Sequence, residues 1–155
     1  MLKLVRFAGL LLGALNLGLA FAHVVELPPK RAMSGPDWLT TQQAYRDFGK
    51  AARLTLPAAL LSTLTALVLV RERRTVALLT ASGAACSVIP VALWARFNEP
   101  VNREIVTWQV DALPADWEQR RDQWEFAHAA SAGLHAASQV ALLVAARRDQ
   151  GATTR

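Results

Sequence analysis

The chain has 155 residues, enough for one domain, of which 53% are hydrophobic and only 19% charged, where ordinary soluble domains carry roughly 25% charge. No Asp, Glu, Lys or Arg occurs in Phe7–Val25, Leu54–Val70, Thr75–Ala95 or Phe126–Ala146, windows of 19, 17, 21 and 21 residues, and a membrane-crossing helix needs about 20 apolar residues. This pattern argues against a soluble globular enzyme and excludes a disordered or collagen-like chain, and the single Cys86 excludes an intramolecular disulfide, a Cys-x-x-Cys pair and a cysteine-rich zinc site.

The first predicted helix runs from about Leu2 to Glu26 and stops at Leu27-Pro28-Pro29, where proline removes a backbone donor. A secretory signal peptide cleaved after Ala20-Phe21-Ala22 is the competing reading of this segment; Asn16 and the glycines Gly9, Gly13 and Gly18 favour a retained span. Lys30–Pro36 reads as a loop. Asp37 looks like an N-cap, opening one long helix over Asp37–Val70 with a kink at Pro57. Arg71–Arg74 is a short turn. The third helix covers Thr75 to about Phe97 with a second kink at Pro90, and Asn98–Leu113 forms a connection with helical character. Asp116 with Gln119 resembles a capping box, after which Trp117–Arg148 reads as one helix, with 149–155 as a polar tail.

Only helices and closed barrels span lipid, because every backbone polar group must be satisfied internally. These segments are long and do not alternate, so the expected fold is all-α: an integral membrane four-helix bundle in residues 1–148, with spans at about 4–26, 51–70, 75–97 and 125–147. The 29 alanines suit close helix packing in lipid.

The net charge of +5 does not point to nucleic acid, because its distribution follows helix ends. Lys3, Arg6, Arg71, Arg73, Arg74, Arg147, Arg148 and Arg155 are offset only by Glu72 and Asp149, whereas the two long connections hold nine basic and ten acidic residues. By the positive-inside rule, both termini and the Arg71–Arg74 turn are cytoplasmic, and helical extensions lie on the outer face of the cell membrane.

Polar residues inside the spans form seams. Trp117, Arg121, Trp124, His128, Ser131, His135 and Ser138 are spaced 4, 3, 4, 3, 4 and 3 apart, one face of a helix in a left-handed bundle. Gly9, Gly13, Asn16, Ala20 and His23 repeat the pattern in the first helix, and Gln42, Arg46, Gly49 and Arg53 suggest it in the second. Lipid penalises polar side chains, so these faces should point inward. His23 and His128 then meet near the outer ends of their helices, with Glu26, Arg121 and Trp124 within two turns, as a polar, aromatic-walled pocket. For His135 a structural hydrogen bond is the simpler role, and for Trp38 and Trp94 an interfacial belt. No metal site is expected: His128 and His135 are two turns apart, and no phosphate loop, nucleophile elbow or zinc-protease motif is present.

The connection after the third span reads Phe97-Asn98-Glu99-Pro100-Val101-Asn102, with Trp108 six residues on; Asp116-Trp117-x3-Arg121-x2-Trp124-x3-His128 leads the fourth span. With His23-Val24-Val25-Glu26-Leu27-Pro28 and Gln42-Gln43-Ala44-Tyr45-Arg46, this order of motifs resembles the membrane family called domain of unknown function 1772, which includes the anthrone oxygenases. The resemblance covers about residues 5–147. It implies four transmembrane helices and, for some members, cofactor-free oxygenation of anthrones to anthraquinones. On that basis His23 or His128 would be the base. Asn98, Asn102 and Arg121 would orient or stabilise oxygen anions, and Tyr45, Trp117 and Trp124 would stack on rings. Glu26 and Trp108 complete the candidate binding set. Asn98 and Asn102 are equally readable as backbone caps beside Pro100. Relatives often carry Arg about three residues after the histidine that matches His128, where this chain has Ser131. The expected partners are the lipid bilayer and a small hydrophobic or aromatic ligand, with no nucleic acid and with homo-oligomers allowed. The alternatives are a non-catalytic membrane protein that binds a lipid or supports an assembly, and a transporter, for which four spans without an inverted repeat are few.

Overall fold

The computed structural model describes residues 1–47 and 49–153. It is all-helical: α1 Leu2–Ala32, α2 Gly35–Ala44, α3 Lys50–Val70, α4 Arg74–Leu93, a π-helical turn Trp94–Asn98, α5 Glu99–Ile105 and α6 Trp117–Thr153. Strand geometry among the described residues is limited to an isolated bridge between Gln109 and Ala112. Four helical rods, Leu2–Ala32, Lys50–Val70, Arg74–Ile105 and Trp117–Gln150, are long and apolar enough to cross a membrane, as an integral membrane protein requires. Leu, Val and Phe side chains such as Phe7, Leu54, Leu61 and Phe126 stand exposed, while Asn16, Thr63, Thr80, Ser131 and Ser138 are buried. This inverts the arrangement of a soluble domain and suits a bundle whose outer surface meets hydrocarbon.

α1 packs on α3 and α6, and α4 packs on α3 and α6. Val70, Val76 and Ala145 form a small core with Leu2 beside it. The start of α1, the Arg71–Arg73 turn and the end of α6 therefore share one end of the bundle. There Asp149 accepts from Arg6 at 2.5 Å and is also paired with Arg73. Arg155 of the basic set and the last residues of the expected tail lie outside the described residues.

Several helix boundaries differ from the sequence expectation. α1 continues through Pro28 and Pro29 to Ala32. The turn beyond the prolines is held by the Lys30–Glu26 pair at 2.7 Å, with Lys30 buried against the Trp124 ring. The single helix expected over Asp37–Val70 is two, and its cap is Ser34: Ser34 Oγ accepts from the Asp37 amide at 3.3 Å and donates to the Asp37 carboxylate at 2.6 Å. α2 buries Trp38 and Leu39 in a cluster with Val101 and Ile105, while α3 packs on α1 and α4, so one straight rod could not serve both. The break also dissolves the expected second-helix seam: Gln42 is buried, but Arg46, Gly49 and Arg53 are exposed. Trp38, expected in an interfacial belt, is fully buried, whereas Trp94 is 39% exposed. The third helix does not end near Phe97. Pro90 is followed by the π-helical turn, where the Trp94 amide reaches back to the Pro90 and Val91 carbonyls, and the rod continues to Ile105. α6 extends past Arg148 to Thr153, so the start of the expected polar tail is helical.

Candidate functional site

At the end of the bundle opposite the Arg6–Asp149–Arg73 cluster, α1 and α6 bring three rings together. The centroids of His23 and His128 are 4.1 Å apart, Trp124 and His128 4.1 Å apart, and His23 and Trp124 5.0 Å apart in an edge-on contact. On α1, His23 follows Gly9, Gly13, Asn16 and Ala20 along the face turned toward the other helices. On α6, Arg121, Trp124, Ser131, His135 and Ser138 are all buried. Both seams thus face inward, as lipid would require.

The Trp124 side chain is fixed from the third rod. Asn102 Oδ1 accepts from the indole Nε1 at 2.8 Å, and Asn98 Nδ2 donates to the Trp124 carbonyl at 2.9 Å. Asn98 closes the π-helical turn. A turn with one extra residue rotates the side chains that follow it, and such turns recur at functional sites. Asn98 is 1% exposed. Both asparagines therefore position the tryptophan, and the Asn98 side chain makes no capping bond to α5.

Glu26 stands one turn from His23, with its carboxylate 4.0 Å from His23 Nδ1 and 2.7 Å from Lys30 Nζ. Lys30 lies 5.4 Å from the Trp124 ring centroid, a cation–π contact. Arg121 covers Trp117 at 5.1 Å and bonds Asp122 at 3.1 Å. Trp108 and Trp117 flank Trp38 at 6.4 and 6.0 Å and belong to the neighbouring apolar cluster, which Trp124 joins to the histidines. Tyr45 sits at the end of α2, 60% exposed and apart from the rings.

Two residues of this cluster escaped the sequence reading. Lys30 is seven positions after His23 on the same face of α1, hidden because the prolines suggested that the helix had ended. Glu125 is four positions after Arg121 and three before His128; it is 1% exposed, and neither carboxylate oxygen has a hydrogen-bond partner. It stands just outside the charge-free window that begins at Phe126 and off the seam spacing of 117, 121, 124 and 128.

The rings occupy the position where the seams suggested an open pocket. Cavities are found elsewhere among the described residues. One of about 20 Å³ lies among Arg6, Gly9, Thr63, Thr80 and Leu142, where all four rods converge, and an open groove of about 290 Å³ is bordered by Gln43, Arg46, Val106, Trp108 and Gln109. Among the described residues no three His, Cys, Asp or Glu side chains are gathered as a metal site. Chemically, the cluster offers two imidazoles as proton acceptors, a lysine and an arginine as anion partners, and an indole wall. Compared with protein-family profiles, curated proteins and solved structures, the chain shows no match.

Proposed function

We propose that this chain is a multi-pass protein of the cell membrane, with its termini and the Arg71–Arg74 turn in the cytoplasm and the His23–Trp124–His128 cluster near the outer face. We further propose that the cluster oxygenates a small anthrone-like or quinol-like aromatic without a cofactor, as the resemblance to the anthrone oxygenases implies. The observation that supports this most is the stacking of His23 on His128 at 4.1 Å against a tryptophan held by two asparagines. A base and an aromatic wall are what proton abstraction from an activated ring carbon needs. In this scheme an imidazole nitrogen takes the proton of the C–H bond. The electron pair stays in the ring system as an enolate-like anion, which Lys30 and Arg121 stabilise by charge. Dioxygen is the oxidant: it adds at that carbon and takes the imidazolium proton as a hydroperoxide; an imidazole then removes the second C–H proton, that electron pair forms the carbonyl as the O–O bond breaks, and the departing hydroxide takes the proton back from the imidazolium and leaves as water.

The test is oxygen uptake and product analysis with membranes containing the full chain and supplied with anthrones and related phenols. Loss of turnover in His23→Ala and His128→Ala is expected, and unchanged turnover would remove both histidines from the reaction. A second reading rests on a specific observation, namely that the rings fill the cluster. On that reading the protein is a non-catalytic membrane component that binds a lipid or supports an assembly. Absence of oxygen uptake with every phenol, together with a co-purifying lipid seen by native mass spectrometry, would favour it.

A further inference from the structure

Glu125 is buried more completely than any other acidic side chain among the described residues, and both of its carboxylate oxygens lack a hydrogen-bond partner. The charges that reach it come from α1, as Glu26, Lys30 and Arg31, and from α6, as Arg121. The His23–His128 pair lies one turn further along α6, and the third rod contributes the uncharged Asn98 amide, which donates to the neighbouring Trp124 carbonyl. Neither Lys30, paired with Glu26 at 2.7 Å, nor Arg121, paired with Asp122 at 3.1 Å, bonds the Glu125 carboxylate. A buried carboxylate charge with no hydrogen-bond donor is strongly disfavoured. The centre of the cluster is filled by rings in contact, so the ligand that such a site accepts without rearrangement is the smallest one.

We propose that Glu125 is a proton-exchange site, holding a proton on its carboxyl group and trading it with the His23–His128 pair. In the exchange the O–H bond on Glu125 breaks and its electron pair remains on the carboxylate. The proton then forms an N–H bond on an imidazole of the pair; the reverse step restores the acid. Glu125 and His128 are three positions apart on α6, the spacing that makes helix side chains neighbours. The inference rests on the geometry of the cluster and not on the oxygenation reading, and its test needs no substrate.

The experiment is pH-difference infrared spectroscopy on the full-length protein in lipid nanodiscs. The expected result is a carboxylic C=O stretching band that moves on deuterium exchange, sits at the high frequency of a carboxyl lacking strong hydrogen bonds, and is absent from Glu125→Gln. A difference spectrum unchanged in Glu125→Gln overturns the proposal. If circular dichroism shows that Glu125→Gln has lost its helices, Glu125→Asp replaces it: a displaced band supports the proposal and an undisplaced one overturns it. In His128→Asn the pH midpoint of the band moves, and an unmoved midpoint overturns exchange with the imidazoles.

Discussion

The imidazole of His23 on α1 stacks on that of His128 on α6 with centroids 4.1 Å apart and planes tilted by 34°. One contact joins the first and last helices at the end of the bundle away from the basic cluster. It also makes the two histidines a packing pair as well as candidate bases, and phenylalanine separates the roles. His23→Phe and His128→Phe keep a ring in place while adding volume to a packed cluster, so unfolding in detergent should change by no more than about 1–3 kcal/mol. Oxygen uptake, if the histidines are bases, falls by about 100-fold or more. Stable phenylalanine variants with undiminished uptake would leave the pair with packing alone.

Trp124 and Asn102 should be energetically coupled. Trp124→Phe removes the 2.8 Å indole bond while keeping an aromatic ring, and Asn102→Ala removes the same bond from the other side. Each should cost about 1 kcal/mol for the bond, and the double variant should cost less than the two together. Strict additivity in unfolding free energies would show that the bond contributes nothing.

The α4–α6 contact depends on Gly83. A Cβ added there would sit 2.7 Å from Leu142 Cγ and 3.3 Å from the Ser138 carbonyl, whereas at Gly18 or Gly133 it would meet nothing within 4 Å. Gly83→Ala should destabilise by about 1–3 kcal/mol through overpacking. Gly18→Ala and Gly133→Ala should be neutral or slightly stabilising, because helical alanine is favoured over glycine by up to about 1 kcal/mol. Equal melting temperatures for all three variants would contradict the close approach.

Asp149 ties the start of α1 and the α3–α4 turn to the end of α6 through Arg6 and Arg73. Asp149→Asn leaves both guanidinium groups without their acceptor charge. Arg73 is half exposed, so the loss is discounted to about 1–3 kcal/mol. Hydrogen exchange should rise in residues 2–6 and 74–77 more than near His23, and a uniform rise would point to global loosening instead.

The start of α3 carries a pH dependence. The Asp47 carboxylate accepts from Lys50 at 2.9 Å, and this bond, with the charges of Lys50, Arg46 and Arg53, holds its pKa below the ordinary value. A lowered pKa means that the contribution is present above the unfolded value of about 3.9 and is lost as pH falls through the folded one. After correction for intrinsic rates, amide exchange at residues 50–53 should therefore increase below the ordinary aspartate range. Asp47→Asn should abolish that pH dependence, and a variant that kept it would place the cause elsewhere.

The sequence by itself determined the four apolar rods and the inward direction of two seams. Both follow from local quantities: the length of a charge-free run against the thickness of lipid, and a 4–3 spacing against the turn of a helix. The same spacing placed His23, Trp124 and His128 on inward faces, so the ring core of the cluster was legible. Tertiary structure decided where helices persist or break. α1 passes through Pro28 and Pro29 because Lys30 finds Glu26 and the Trp124 ring, and α2 parts from α3 because Trp38 and Leu39 have a separate apolar partner surface. It also decided that Asn98 and Asn102 bond Trp124, that Tyr45 stands apart and that Glu125 is buried without a donor. These outcomes depend on atoms from distant segments, and periodicity along one helix gives a direction without naming the partner that waits there.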